Sequence, residues 1–366
     1  MNIALISTTG FSTPPKGYGG EIYVAWLCDA LCKLGHTVIL FATYDSMTPS
    51  NGTLIRLRKA PLGDWVTMLD SEHDVIKYYS DILRKVDAVH DFAHNAQVSL
   101  WCKENSIPYC NTLWGNSFLG NRLGLPSFAR DNCVCWSEDH KICGVNGYNG
   151  YEGTPWHKKY PFAGKLNPTT KVVLGGVDTE FYDYKPEIER EDWFLFLARA
   201  HESKGVDLAI EIAKRNPNVK FKFSGSFSGK LHETDGNKYL EMIKQLPNAS
   251  FIKADTHEEK RYLYSKCKAY LFPVQYHESF GIVVAEALAC GTPCIVSDRG
   301  SMPEIIENSV NGFVCRDLEH YESAIRAIDY IRPKTCRRIA ETKFSMKRVA
   351  KDYVEVYNCA IRGDKW

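Results

Sequence analysis

The stretch that decides the fold runs from residue 277 to residue 304 and reads HESFGIVVAEALACGTPCIVSDRGSMPE. Its first part, from Phe280 to Cys290, is apolar almost throughout, which predicts a short helix covered on every side. The helix is expected to end at Gly291, with Pro293 behind it, before a buried strand. Inside the apolar run lies one acid, Glu286.

This pattern predicts an anion site flanked by two carboxylates, Glu278 and Glu286. A carboxylate in a helix without a polar face is costly unless donors such as sugar or ribose hydroxyls bind it. The backbone N–H groups of Phe280, Gly281 and Ile282 come at the helix start, where free N–H groups favour a phosphate. The alternative is that Glu286 is a packing feature, paired with a neighbouring Arg or Lys.

The stretch resembles the signature of the retaining GT-B glycosyltransferases of family 4, also called glycosyltransferase group 1. The shared features are two acids in Glu-x7-Glu with Phe-Gly after the first, then Ala-Cys-Gly-Thr-Pro and Ser-Asp-x-Gly-x-x-Pro-Glu. The resemblance implies an α/β fold with two Rossmann-like doubly wound domains facing a central cleft. It also implies that Glu278 holds sugar hydroxyls near the reacting carbon and that Glu286 holds the donor ribose.

Composition favours two domains and excludes some classes of partner. The chain has 366 residues, which suits two cores of middling size. Lys and Arg number 45 against 44 Asp and Glu, so no strong overall field attracts nucleic acid or anionic lipid. The apolar run from Ile3 to Ile6 predicts a first strand rather than a signal peptide. No uncharged stretch approaches the ~20 residues of a membrane span, so we expect a cytoplasmic protein with at most peripheral membrane contact.

The cysteines predict free buried thiols. There are 13, without regular spacing, which in a cytoplasmic chain favours thiols over disulfides. The tightest group is Cys133, Cys135, His140 and Cys143. A metal site is one interpretation of this group, but the Cys-x2-Cys spacing of structural zinc sites is absent. Burial of Cys133 and Cys135 on one face of a short strand is the simpler alternative.

The first half opens with a strand, a glycine-rich turn, a helix and a second strand, which predicts the βαβ unit of a parallel sheet. Gly19 and Gly20 in the turn would let backbone approach a ligand at the helix N-terminus. The turn reads Gly-x-Gly-Gly, a poor match to a dinucleotide site, although Asp45 near the second strand keeps an NAD site open. A plain tight turn is an equal alternative. The family resemblance implies a loop that faces the donor diphosphate and the acceptor.

A predicted strand at residues 86–90 ends at His90, and Asp91 and His94 follow it. Ligands in open α/β sheets collect beyond the carboxyl ends of strands, so His90 and His94 are candidate catalytic residues. A structural histidine is an equal alternative for each.

Many relatives carry His where this chain has Trp114, near the donor sugar, and this departure puts the identity of the sugar in question. The long irregular stretch at residues 144–161 predicts a loop that binds the acceptor or gates the cleft. A surface excursion is the alternative.

We predict an acceptor-side domain over residues 1–175, a nucleotide-sugar domain over 176–343 and a C-terminal helix over 344–366 that packs back on the first domain. The last assignment is implied by the resemblance. The acidic segment 182–192, with Pro186, is predicted to be a hinge between the domains.

Arg199 and Lys204 follow the first strand of the second domain, and Gly225 follows the next strand. Arg grips diphosphate oxygens as a fork and Lys acts as a point charge, so the pair suits a diphosphate. Two solvated surface charges are the alternative. The sequence Arg-x4-Lys-Gly matches the diphosphate-binding pair of the family. Gly225 would let backbone approach the donor.

The sequence therefore predicts a transferase that moves a hexose-like unit from a UDP-, GDP- or other nucleotide sugar to a glycan, lipid-linked or other hydroxyl acceptor. Retention of configuration is implied by the resemblance. We expect no further cofactor, and electrostatic catalysis by Arg199 and Lys204 would require no metal. Two alternatives remain open: a nucleotide-sugar epimerase on the same fold and a non-catalytic nucleotide-sugar binder. Nucleic acid is not an expected partner.

Overall fold

The structure, a computed structural model, describes residues 1–15, 20–49, 52–59, 65–114, 131–147, 166–227 and 236–366. The chain divides into two compact units. The first comprises Met1–Gly175 and Met346–Trp366, and the second comprises Gly176–Ser345. Among the described residues, no helix has the length and apolar character needed to cross a bilayer.

The first unit is built on a parallel sheet covered by helices. Its described strands are β1 (Asn2–Ile6), β2 (Thr37–Thr43), β3 (Thr53–Leu57), β4 (Ala88–Asp91), β5 (Tyr109–Thr112), β6 (Cys133–Cys135) and β7 (Lys171–Val172). Its described helices are α1 (Glu21–Lys33), α2 (Trp65–Leu83), α3 (Gln97–Glu104), α4 (Glu138–Asn146) and α12 (Met346–Ile361). The strand order is β3-β2-β1-β4-β5-β6-β7, and every paired neighbour is parallel.

The second unit repeats this plan. Its described strands are β8 (Trp193–Leu197), β9 (Lys220–Ser224), β10 (Ala249–Phe251), β11 (Ala269–Phe272), β12 (Cys294–Ser297) and β13 (Gly312–Cys315). Its described helices are α5 (Val206–Arg215), α6 (Gly236–Lys244), α7 (His257–Lys266), α8 (Ile282–Ala289), α9 (Met302–Ile305), α10 (Leu318–Ala327) and α11 (Pro333–Lys343). The strand order is β10-β9-β8-β11-β12-β13, again all parallel.

The apolar composition of the strands follows from the helices that pack on the sheets. Every residue of β8 and β11 is buried, because helices pack on both faces of a parallel sheet. Helix α8 is buried from Val284 to Ala289, which accounts for its lack of a polar face.

In both sheets the chain changes direction across the sheet at the first strand: the next strands are added on one side of it and later strands on the other. In the first unit β1 has β2 on one side and β4 on the other, and in the second unit β8 lies between β9 and β11. Ligands of open α/β sheets bind at such a switch point, beyond the carboxyl ends of the strands. In the second unit the loops after β8 and β11 are therefore the expected ligand-binding loops.

The segment predicted to be a hinge is packed on the second unit. Arg190 donates to the backbone oxygens of Tyr264 (3.1 Å), Cys267 (2.8 Å) and Cys290 (2.8 Å) and to the hydroxyl of Thr292 (2.7 Å). The guanidinium thus joins the end of α7 to the turn after α8. The segment 182–192, predicted to be a hinge between the domains, therefore lies within the second unit, where Arg190 ties it to the core.

Replacing Arg190 with methionine is expected to lower the free energy of unfolding of the second unit by about 3 kcal/mol, because partly buried carbonyl oxygens lose their hydrogen-bond donor. Thermal and urea denaturation measure the effect. Arg338→Met, which removes an exposed cation on α11, is the matched control and should change little. Equal stability of the two variants would contradict the role given to Arg190.

Candidate functional site

Three side chains from the loops after β8 and β11 form a connected polar cluster. Lys204 Nζ donates to Glu278 Oε2 at 2.5 Å and to the Tyr276 hydroxyl at 2.7 Å. The Tyr276 hydroxyl in turn donates to Glu278 Oε2 at 2.7 Å. The side chains of Lys204 and Glu278 keep 15% and 12% of their surface exposed, so the pair borders solvent rather than being sealed in the core. The structure thus brings two of the predicted residues together.

Both donors bind the same oxygen of Glu278. Among the described residues none donates to Oε1, and that oxygen remains available to accept a hydrogen bond from a ligand hydroxyl. Arg199 is exposed, and its guanidinium forms no hydrogen bond or ion pair with a described residue. The second predicted cation is therefore free to bind an anion.

The electrostatics of this cluster follow from burial and from its two cations. Burial raises the pKa of the Glu278 carboxyl, but Lys204, the Tyr276 hydroxyl and the charge of Arg199 outweigh it, so the pKa lies below its ordinary value. Burial lowers the pKa of Lys204, Glu278 offsets part of that effect, and the charge of Arg199 lowers it further. Glu278 is therefore held as a carboxylate beside two positive charges. The net charge of the three groups is positive, which favours the binding of an anion.

Backbone contacts fix the loops that carry these side chains. The N–H of Gln275 donates to the oxygen of Ser203 at 2.8 Å and joins the two loops. The N–H of Ser301 donates to the oxygen of Glu278 at 2.9 Å, which anchors the same region to the loop after β12. The site is preorganised, because each functional side chain stands on backbone bonded to its neighbour.

Helix α8 begins at Ile282, and its N-cap is Gly281 with φ +75°. Phe280 is fully buried, and its ring packs against Phe344 with centroids 5.9 Å apart. The positive φ at Gly281 and the buried ring at Phe280 direct the chain into α8 from Glu278. The predicted anion seat at the N–H groups of Phe280, Gly281 and Ile282 thus lies directly after Glu278 in the chain, at the start of a helix.

Glu286 has partners inside the second unit. Lys260 Nζ lies 3.4 Å from Oε1, and the Tyr264 hydroxyl donates to Oε2 at 3.1 Å. The residue is 1% exposed. This is the arrangement that the packing interpretation predicted, a buried glutamate paired with a lysine. The ribose role stays a prediction.

Local packing explains why glycine occurs at two of the positions that were predicted to approach a ligand. A Cβ on Gly20 would overlap the ring of Trp114, and a Cβ on Gly225 would overlap the backbone oxygen of Ala198. Gly225 also has φ +120°, which side-chain-bearing residues rarely adopt. Gly19 lies outside the described residues. Ligand contact by these glycines remains a prediction.

The catalytic role predicted for His90 is wrong. His90 is fully buried, with Nδ1 2.7 Å from the Tyr357 hydroxyl and Nε2 2.7 Å from the Thr112 hydroxyl. Burial lowers its pKa well below the ordinary value. Both ring nitrogens are occupied and no ring atom meets solvent, so His90 joins β4 and β5 to α12 as a structural residue.

His94 lies in a loop held by two buried carboxylates. Asp91 accepts from the N–H groups of Ala93 (2.8 Å) and Ser99 (2.9 Å). Glu72 accepts from the N–H and side chain of Asn95, each at 3.0 Å. Burial lowers the pKa of His94 to about 4, so its imidazole is neutral near neutral pH. The catalytic role of His94 stays a prediction.

Burial, together with the proximity of the two carboxylates, raises the pKa of Glu72, and burial raises that of Asp91. The folded chain then holds these protons to higher pH than the unfolded chain, so stability should fall as pH rises above the ordinary carboxyl range. Glu72→Gln should reduce this dependence between about pH 5 and pH 9 in thermal melts. Glu104→Gln on the exposed face of α3 is the control. An unchanged pH slope in Glu72→Gln would contradict this account.

Trp114 is fixed within the first unit, where its indole N–H donates to the backbone oxygen of Phe92. Its ring also faces Trp136, with centroids 5.5 Å apart. Cys133 and Cys135 are buried in β6, as the packing interpretation predicted. Most of the predicted loop, residues 148–161, lies outside the described residues.

Sequence reasoning missed Tyr276, Lys260 and Tyr264. Tyr276 stands two positions before Glu278, and no spacing rule marks a tyrosine there as a partner of a lysine on another loop. Lys260 and Tyr264 lie on one face of α7, and that i, i+4 spacing was a usable signal for partners of Glu286.

The part of the chain that carries this cluster matches a known family model. Residues 178–343 match the family model described as glycosyl transferases group 1. Spore coat protein SA of Bacillus subtilis is 27% identical over 255 residues, which are 61% of this chain and 66% of that protein. The stretches matched in the curated relatives span from 25% to 66% of those proteins' length.

Solved structures share the fold over the whole chain. AviGT4, a glycosyltransferase involved in avilamycin A biosynthesis, superposes with a TM-score of 0.75 at 21% identity and covers 100% of this chain and 99% of its own. Anabaena HepE in complex with UDP and glucose superposes with a TM-score of 0.68 at 17% identity, over 98% and 99% of the two chains. The predicted GT-B class, two Rossmann-like α/β domains, is confirmed.

Proposed function

We propose that this chain, whose residues 178–343 carry the group 1 glycosyltransferase pattern, transfers a sugar from a nucleotide-diphosphate sugar to a hydroxyl acceptor with retention of configuration. The observation that carries the proposal is the cluster of Lys204, Tyr276 and Glu278 at the switch point of the second sheet, beside the unengaged cation of Arg199. Two cations suit the oxygens of a pyrophosphate, and an oriented carboxylate can accept hydrogen bonds from the hydroxyls of a sugar.

Lys204 and Arg199 would stabilise the charge that develops on the departing diphosphate. The bond between the anomeric carbon and the phosphate oxygen breaks, and both electrons of that bond stay with the phosphate. Preorganised charges at the leaving group are among the largest contributions to catalysis. The N–H groups at the start of α8 would add fixed donors on the same side. Because two side-chain cations serve the diphosphate, the reaction would not require a metal ion.

Glu278 would bind hydroxyls of the sugar through Oε1, because both of its protein donors occupy Oε2. Glu286 would hold the ribose only if a hydroxyl displaced Lys260, whose contact at 3.4 Å is long for a hydrogen bond. The first unit would bind the acceptor, and His94 is the candidate catalytic residue of that unit. We assign no carboxylate as a covalent nucleophile; the acceptor hydroxyl forms the new glycosidic bond and its proton passes to the leaving phosphate.

A thermal-shift screen across nucleoside diphosphates and nucleotide sugars tests the proposal. UDP and UDP-glucose are the first probes, since HepE was solved with UDP and with UDP-glucose. A ligand that binds only the folded state stabilises it by mass action and so raises the melting temperature. At a free ligand concentration of 100 times its Kd, the free energy of unfolding rises by about 2.7 kcal/mol. We expect a shift for one nucleotide family and none for the others. No shift with any nucleotide would overturn the proposed function.

A further inference from the structure

The Tyr276 hydroxyl contacts both ends of the Lys204–Glu278 ion pair, and the family pattern used above assigns it no role. We propose that Tyr276 is a positioning residue that turns the Glu278 carboxylate so that Oε1 faces the donor sugar. The inference rests on the proposed function, because it concerns the sugar half of the same donor site.

The geometry explains how one hydroxyl sets the orientation. The hydroxyl accepts from Lys204 Nζ and donates to Glu278 Oε2, each at 2.7 Å, while Lys204 donates to the same Oε2 at 2.5 Å. The three polar groups form a closed triangle. A carboxylate with two donors on one oxygen resists rotation about its terminal bond, which would move both hydrogen bonds off that oxygen. Oε1 is therefore held in a fixed direction as the acceptor for a hydroxyl.

The hydroxyl also lets Lys204 serve two anions. An ammonium group has three N–H donors. Of these, one reaches Glu278 and one reaches Tyr276, and a third can reach a phosphate oxygen. When the diphosphate attracts Lys204 more strongly, the Tyr276 hydroxyl still occupies Oε2. Glu278 then keeps its orientation while Lys204 stabilises the leaving group.

The aromatic ring has a separate contact that a conservative variant preserves. Lys204 Nζ lies 4.8 Å from the centroid of the Tyr276 ring, a cation–π distance. Tyr276→Phe keeps this ring and removes only the hydroxyl. The variant therefore tests the hydrogen bonds without removing the packing of the loop.

The experiment measures the affinities of UDP and UDP-glucose, or of the corresponding pair that stabilises the wild type in the screen, by titration calorimetry. Tyr239→Phe is the matched control, because it removes a phenol hydroxyl that donates to a carboxylate, Asp207, at 3.1 Å elsewhere in the second unit. For Tyr276→Phe we expect the diphosphate affinity to stay within about twofold and the affinity for the nucleotide sugar to fall about tenfold, the factor of one charge-assisted hydrogen bond. Tyr239→Phe should change neither affinity.

The pH dependence gives a second readout that a purely structural role would not move. The Tyr276 hydrogen bond lowers the pKa of Glu278, and Lys204 and Arg199 are the charged groups that face this carboxyl. In Tyr276→Phe, Glu278 should take up its proton at higher pH. The acidic limb of nucleotide-sugar affinity should therefore move upward relative to wild type.

The outcomes separate the two claims. If the wild type binds no nucleotide, the proposed function fails and this inference fails with it. If the wild type binds both probes and Tyr276→Phe binds them equally well, the inference alone is overturned. An equal loss of both ligands would also overturn it, because the hydroxyl would then act on the diphosphate rather than on the sugar.

Discussion

Replacing Lys204 with alanine is expected to lower kcat/KM for the nucleotide sugar by about 10²- to 10³-fold, the usual cost of removing one preorganised donor to a developing charge. Lys204 is the partly buried cation of the cluster, with a direct bond to Glu278 at 2.5 Å. Its loss removes a positive charge beside the leaving group and leaves the Tyr276 hydroxyl as the remaining described donor to the Glu278 carboxylate. Release of nucleoside diphosphate from the donor measures the effect.

The control for this variant is Lys244→Ala, which removes an exposed lysine paired with Glu241 at the end of α6. Its activity should match the wild type. The melting temperature of Lys204→Ala, taken alongside, shows whether the fold is intact. Activity near wild type in a folded Lys204→Ala protein would contradict the role assigned to this cation.

Glu278→Gln is expected to weaken binding of the nucleotide sugar by about 10- to 100-fold, the range for a hydrogen bond to a charged group. The amide keeps the shape of the side chain but accepts a sugar hydroxyl more weakly than a carboxylate. Affinity for the nucleoside diphosphate should be kept or increased, because the carboxylate no longer competes for Lys204. Calorimetric titration of the two ligands separates the effects.

The same variant should change the basic limb of the pH profile. Glu278 raises the pKa of Lys204, while burial and Arg199 lower it. Without the carboxylate, Lys204 should lose its proton at lower pH, and activity should fall earlier as pH rises. Glu241→Gln on α6, an exposed acid, is the control. Equal losses of diphosphate and nucleotide-sugar affinity would contradict a role for Glu278 at the sugar.

Much of the fold could be predicted because its strands are continuous apolar runs separated by amphipathic helices. The apolar run from Phe280 to Cys290 predicted a short helix, and α8 spans Ile282–Ala289 inside that run. The strand predicted at residues 86–90 is present as β4, with the bounds Ala88–Asp91. No element was predicted for residues 45–85, where β3 and α2 lie. One reason is that α2 buries a polar residue, Glu72, to hold the His94 loop.

The cluster of Lys204 and Glu278 was predictable because each follows an apolar strand in a recognisable pattern. Their partners were not, since hydrogen bonds between distant loops leave no periodic signal. His90 shows the limit most clearly: its partner Tyr357 lies 267 positions further along the chain. A histidine at the end of a strand has the same local sequence whether it faces a ligand or a tyrosine of the last helix.

The measurement that tests the central claim most directly is calorimetric titration of UDP, GDP, ADP and dTDP into wild type and into an Arg199→Ala, Lys204→Ala double variant. The matching nucleosides serve as the control for the base and ribose. The account predicts that one diphosphate binds the wild type and loses about 100-fold or more in affinity in the variant, while nucleoside binding is unchanged. Equal affinity of that diphosphate for a folded variant and the wild type would contradict the claim that these two cations hold a pyrophosphate.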